Sequence, residues 1–152
     1  MRTLISVSTA AHPNVVDALR ELSEAVSNAQ FSPAVAQRVG LTTHELVDNA
    51  IRFGSLRSDI EYQLAYDLET GVVVVRVANT ALPSRIALLN AHLERLRRLQ
   101  ASGHGLSDLI RSAAMGKVQA QLGLARVRHE ASMEVRIEVE DDRLVVIASG
   151  RT

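Results

Sequence analysis

The chain has 152 residues, 47% of them apolar, which suits one domain around one substantial core. Seventeen basic residues balance seventeen acidic ones and only 3% are aromatic, so there is neither a general field for nucleic acid or anionic membrane nor a set of base-stacking platforms. Cysteine is absent, which excludes disulfides, thiolate metal sites and cysteine nucleophiles.

The first residues, MRTLISVSTAAHP, are too short and too broken for a secretory signal, and no apolar run approaches the roughly 20 residues of a membrane span. The expected compartment is the cytoplasm. Residues 3–9, TLISVST, are β-branched and predict a strand. Pro13 can open a helix, and Val15, Val16, Leu19, Leu22 and Val26 continue it at helical spacing to about residue 29. Ser32 is a candidate N-cap, with Pro33 in the first turn of a second helix. Val35, Val39, Leu46, Val47 and Ile51 carry that helix to a stop at Gly54, with Gly40 expected to interrupt or bend it. Residues 59–68 alternate apolar and polar, and residues 71–79 follow after Glu69 and Thr70, which predicts a hairpin. Residues 82–100 are helical in pattern, residues 101–108 (ASGHGLSD) form a loop, and residues 109–131 are helical despite Gly116 and Gly123. Residues 133–149 alternate around a turn at Asp141 and Asp142, a second hairpin.

The order β-α-α-β-β-α-α-β-β predicts an α+β fold, a two-layer α/β sandwich whose mixed, mainly antiparallel sheet carries helices on one face. A single domain spanning residues 1–152 is expected, with no repeat, linker or low-complexity tract.

Within the second helix, Glu45 and Asn49 stand four residues apart and so share a face. The block HELVDNAIRFGS resembles the N box of the histidine-kinase-like ATPase superfamily, Glu-x-x-x-Asn-Ala on a helix followed by a small turn. Glu45, Asn49 and Ala50 match it. The resemblance implies a Bergerat-type fold in which Asn49 offers its side-chain oxygen to the Mg²⁺ of bound ATP. It also implies that Glu45 acts as base toward the attacking hydroxyl or water. A later stretch, QLGLARVRHEA, resembles the family's Gly-Leu-Gly-Leu phosphate cradle, keeping Gly123 and Leu124, with Gln119 and Gln121 where the family has glycine. The stretch VRVANTALP falls where the family has Asp-x-Gly-x-Gly. Asn79 occupies the adenine-contacting Asp position, with Ala81 and Pro83 at the two glycines.

Size and the absence of further domains liken the chain to small anti-sigma-factor serine kinases. The implied activity is transfer of the γ-phosphoryl of Mg²⁺-ATP to a serine or threonine of a partner in bacterial partner-switching signalling. The partner is an antagonist of STAS type or a sigma factor, and a homodimer is compatible. The alternative is a non-catalytic, degenerate-pocket regulator of the same fold that binds a protein partner. The substituted glycines and the missing Asp favour millimolar rather than micromolar nucleotide affinity, roughly 4 rather than 8 kcal/mol.

Other features carry less. His12, His44, His92, His104 and His129 have no metal-ligand spacing and read as surface or capping residues. Lys117 lies in a lid expected over residues 101–121, the segment expected to open most easily, and Arg95, Arg97 and Arg98 form a solvated strip. ASGHGLSD lacks the Lys-Ser/Thr of a P-loop.

Overall fold

The computed structural model describes residues 1–55, 58–103 and 120–152. Its elements are β1 (Arg2–Ala10), α1 (Pro13–Asn28), α2 (Pro33–Phe53), β2 (Asp59–Asp67), β3 (Val72–Thr80), α3 (Pro83–Ala101), α4 (Ala120–His129), β4 (Glu134–Glu140) and β5 (Arg143–Arg151). This is the expected order. The loop over residues 101–108 is described only to Gly103, which turns with φ 75°; residues 104–119 of the expected lid, Lys117 and Gln119 included, lie outside the described residues, and residues 120–121 open α4.

The strands form one sheet in the order β1-β2-β3-β5-β4. Every pairing is antiparallel, which corrects the expectation of a mixed sheet. Short turns join β2 to β3 and β4 to β5, and such connections can only give antiparallel neighbours. In the first turn Asp67 accepts bonds from the Glu69 amide (3.1 Å) and the Thr70 hydroxyl (2.8 Å).

Alternation decides which sheet face is dry. Tyr62 and Leu64 on β2, Val73, Val75 and Val77 on β3, and Leu144, Val146 and Ala148 on β5 point to one side. There they meet Val16 and Leu19 of α1, Val39, Leu46 and Val47 of α2, Leu89, Leu93 and Leu96 of α3, and Leu124, Ala125 and Val127 of α4. Each fully buried Leu or Val contributes about 1.5–3 kcal/mol. The opposite face keeps a small group, Ala78, Val145 and Ile147 with Val74, and carries the Arg143–Glu61 ion pair at 2.7 Å.

The helix starts behave as their sequences require. His12 Nδ1 accepts from the Asn14 amide and Ser32 Oγ from the Val35 amide, each ahead of a proline in the first turn. Gly40 neither interrupts nor ends α2, which continues unbroken through it. Gly54 does follow the last turn, but for a different reason from the usual left-handed cap. Its φ is −64°, and a Cβ there would lie 2.6 Å from the Ala50 carbonyl and 2.8 Å from Asn79 Nδ2. The glycine lets the end of α2 close on the end of β3, where Gly54 bridges Ala81.

The buried face of α1 departs from its apolar pattern. Val16, Leu19, Ser23 and Ser27 are inside, whereas Leu22 is 42% exposed. Ser23 is accommodated by hydrogen bonds to the Leu19 carbonyl (2.5 Å) and the Tyr62 hydroxyl (2.7 Å), and Thr43 of α2 reaches the same phenol at 3.0 Å. Tyr62 thus knits α1, α2 and β2 at one buried point. Removing its hydroxyl strands Thr43 without that partner, so Tyr62→Phe should lower the unfolding free energy by about 1–2 kcal/mol in urea titration. A variant as stable as the parent would show that the three hydroxyls are not coupled.

Candidate functional site

Helix α2 buries two adjoining stripes. One is apolar: Val39, Leu46, Val47 and Ala50. The other is polar: Thr42, Glu45 and Asn49, whereas Thr43 falls within the apolar stripe and faces Tyr62. Glu45 is 8% exposed and Asn49 5%, so the pair expected on one face does share a face and lies away from bulk water. Asp48, just off that stripe, instead pairs with Arg52 at 2.7 Å near the surface.

What covers the pair is α4. Gly123 sits so close that a Cβ would lie 2.5 Å from Glu45 Oε2 and 3.6 Å from Asn49 Nδ2. Any side chain at this position would have to displace the carboxylate. Three residues later, on the same face of α4, Arg126 donates from Nη1 to Glu45 Oε1 at 2.6 Å. The same guanidinium lies 3.3–3.4 Å from the Glu130 carboxylate. Leu124 is completely buried, so its side chain serves the core.

Burial pushes the Glu45 carboxyl above its ordinary value of 4.5. Arg126 and His44 oppose that shift, while Asp48 and Glu130 add to it. The site thus holds a carboxylate that binds its proton more tightly than an exposed one.

Asn79, one residue before the end of β3, lies against the last turn of α2. Its Nδ2 donates to the Ala50 carbonyl (3.1 Å) and the Thr80 carbonyl (3.3 Å), tying the strand to α2. Among the described residues, its Oδ1 is buried without a partner, and so are Ser58 Oγ and Asn49 Nδ2. An acceptor and a donor left unpaired inside a protein are costly unless something else satisfies them. Ala81 and Pro83 make no glycine turn. Ala81 is paired with Gly54, and Pro83 begins α3.

Sequence reasoning missed Arg126 and Ser58. The i, i+3 spacing from Gly123 to Arg126 was the available clue to the first, and nothing in the local pattern marked the second. Among the other candidates, His12 caps α1, His44 approaches Asp17 at 3.8 Å, and His129 ends α4. His92 is buried at 6% exposure rather than on the surface, because it belongs to the inner side of α3 beside Leu93 and Leu96. His104 lies outside the described residues. Arg95, Arg97 and Arg98 are exposed, and Arg97 pairs with Glu94 at 2.8 Å. Among the described residues no cluster of three or more His, Asp or Glu is placed to hold a metal ion, and no helix is long and apolar enough to cross a membrane.

No family model matches the chain, and a search of curated proteins found no significant match. A solved structure is similar: the crystal structure of the SiaB–SiaC complex from Pseudomonas aeruginosa. The similarity spans 98% of this chain and 90% of that one, with a TM-score of 0.70 at 15% identity. At that identity the likeness is one of fold.

The raised Glu45 value makes a pH prediction with a definite sign. Below 4.5, the ordinary value, Glu45 is protonated in both the folded and the unfolded chain, and its contribution to stability is full. As pH rises through the higher folded value, that contribution is lost. Glu45→Gln cannot titrate. The stability of the parent relative to this variant should therefore decline as pH is raised from about 4 to about 8, read by urea unfolding across the range. A difference that grows with pH would mean that Arg126 outweighs desolvation.

Proposed function

We propose that this chain is a signalling regulator of the histidine-kinase-like ATPase fold that binds a partner protein and phosphorylates it on serine or threonine using Mg²⁺-ATP. The observation that carries this reading is the buried Glu45–Asn49 face, with its carboxyl raised toward the range a general base needs. The orphaned polar atoms support it. Asn79 Oδ1 is a buried acceptor, which suits the amino group of an adenine, and Asn49 Nδ2 is a buried donor, which suits a phosphate oxygen.

Mg²⁺-ATP supplies the γ-phosphoryl group. Asn79 positions the base, with Ser58 Oγ beside Gly54 close by. Asn49 would hold the phosphates and their Mg²⁺, and Gly123 and Leu124 would contribute main chain rather than side chain. Glu45 takes the proton of the incoming hydroxyl, a role that requires it to be ionised and free of Arg126 when that hydroxyl arrives. A protein partner is in keeping with the similar structure, which is a complex of two proteins. The resemblance in the N box makes an antagonist of STAS type or a sigma factor the class to try first.

A second reading is a partner-binding regulator without catalysis. The 2.6 Å Arg126–Glu45 bridge favours it, because an engaged carboxylate is a poor base, and so do Gln119 and Gln121 at the cradle positions. Calorimetric titration with Mg²⁺-ATP and Mg²⁺-ADP, combined with turnover of γ-labelled ATP, separates the two. The kinase reading expects a dissociation constant near the millimolar range. It expects Asn79→Ala to weaken binding about tenfold, the effect of one lost buried hydrogen bond. Glu45→Gln should leave binding in place and reduce turnover by about 100-fold or more. Absence of nucleotide heat at high concentration, with a partner still bound, leaves the non-catalytic reading standing.

A further inference from the structure

We infer that Arg126 is a latch on Glu45: its guanidinium, shared between Glu45 on α2 and Glu130 just beyond α4, withholds the Glu45 carboxylate while α4 is docked and frees it by moving wholly onto Glu130. This rests on the reading of Glu45 as the base.

The geometry is that of one cation between two unequal anions. Nη1 makes a short bond to Glu45, whose side chain is 10% exposed. Nε and Nη2 face Glu130 at 3.3–3.4 Å, and that side chain is 42% exposed. A guanidinium has five N–H donors in a rigid fork, so it can serve both carboxylates at once or turn its full fork to one. The contact with Glu45 is the shorter and more buried of the two, so water screens it less, and it keeps that carboxylate engaged. Gly123 presses on the other oxygen of the same carboxylate. Both oxygens of Glu45 are thus covered from α4, one by a cation and one by backbone.

Glu130 is what makes this contact reversible. Its amide donates to the Arg126 carbonyl at 2.8 Å, which keeps it on the last turn of the same helix. When α4 moves away from α2, Arg126 carries its second partner along. The cation is never left alone, and the free-energy cost of parting from Glu45 is reduced by the bond it regains. An i, i+4 pair alone would only prop the helix end, whereas here the same guanidinium also serves α2, so the two carboxylates compete for it.

The two acidic partners therefore oppose each other, and this gives the test. Three single variants of the full chain are compared with the parent by amide hydrogen exchange over residues 122–129, and by turnover of γ-labelled ATP. Glu130→Gln removes the competing dock, so Arg126 should hold Glu45 more tightly. Exchange in α4 should slow about threefold and turnover should fall by a like factor through kcat rather than KM, the size of one partly exposed ion pair. Arg126→Gln removes the latch and should speed exchange about threefold or more, with Arg126→Lys between it and the parent. Glu130 is half-exposed, so its variant folds and decides the matter even if Arg126→Gln does not. Faster exchange in Glu130→Gln, as expected if Glu130 merely props the end of the helix, overturns the latch. Opposite exchange shifts without ATP turnover in any variant would uphold the latch and overturn the kinase reading instead.

Discussion

Glu45 is a carboxylate taken almost out of water in the middle of a helix, and the fold around it is arranged to make that tolerable. A buried ion without a partner would cost several kcal/mol, and the protein answers with a single guanidinium from the other end of the chain. That answer requires α4 to lie against α2 in one register. The register is fixed by Leu124, Ala125 and Val127, which are completely buried, and by Gly123, the one residue type that fits beside the carboxylate. Polar and apolar contacts of α4 thus specify the same placement.

A second arginine works from the opposite direction. Arg38, two turns before Glu45 on α2, donates from Nε to the Ala131 carbonyl at 2.6 Å and from Nη1 to the Arg151 carbonyl at 3.2 Å. It fastens the exit of α4 and the end of β5 to the same helix that carries the site. Helix α2 is therefore the common reference for both hairpins: Asn79 ties β3 to it near its C-terminus, and Arg38 ties β5 to it near its N-terminus.

Much of this was legible in the sequence because periodicity reports burial. The strands show their alternation plainly in Val73, Val75 and Val77, and the second helix announced itself through Ser32, Pro33 and Val39. The misreadings on the inner faces of α1 and α3 share one physical origin: a polar side chain was taken to face water. Ser23 and Ser27 are inside because their hydroxyls are short, and Ser23 is bonded to the helix's own carbonyl, so Leu22 was displaced to the surface. His92 was missed for the same reason. In the candidate site, the Glu45–Asn49 spacing was enough to put both on one face. It could not show that an arginine 81 positions away would occupy the carboxylate, since an ion pair of that separation leaves no local pattern. Gly54 was read as a cap by its torsional freedom, whereas its φ of −64° is open to any residue and the constraint is space.

The Arg38 clasp also has a mechanical meaning. It grips the chain at Ala131, so a tilt of α4 away from α2 turns about that end. A helix rises about 1.5 Å per residue, which places Arg126 about 7.5 Å and Gly123 about 12 Å along the lever from the fulcrum. A swing that draws the guanidinium back by about 1 Å therefore lifts Gly123 by about 1.6 Å. The smaller of the two movements falls on the ion pair and the larger on Gly123, which lies against the other oxygen of Glu45.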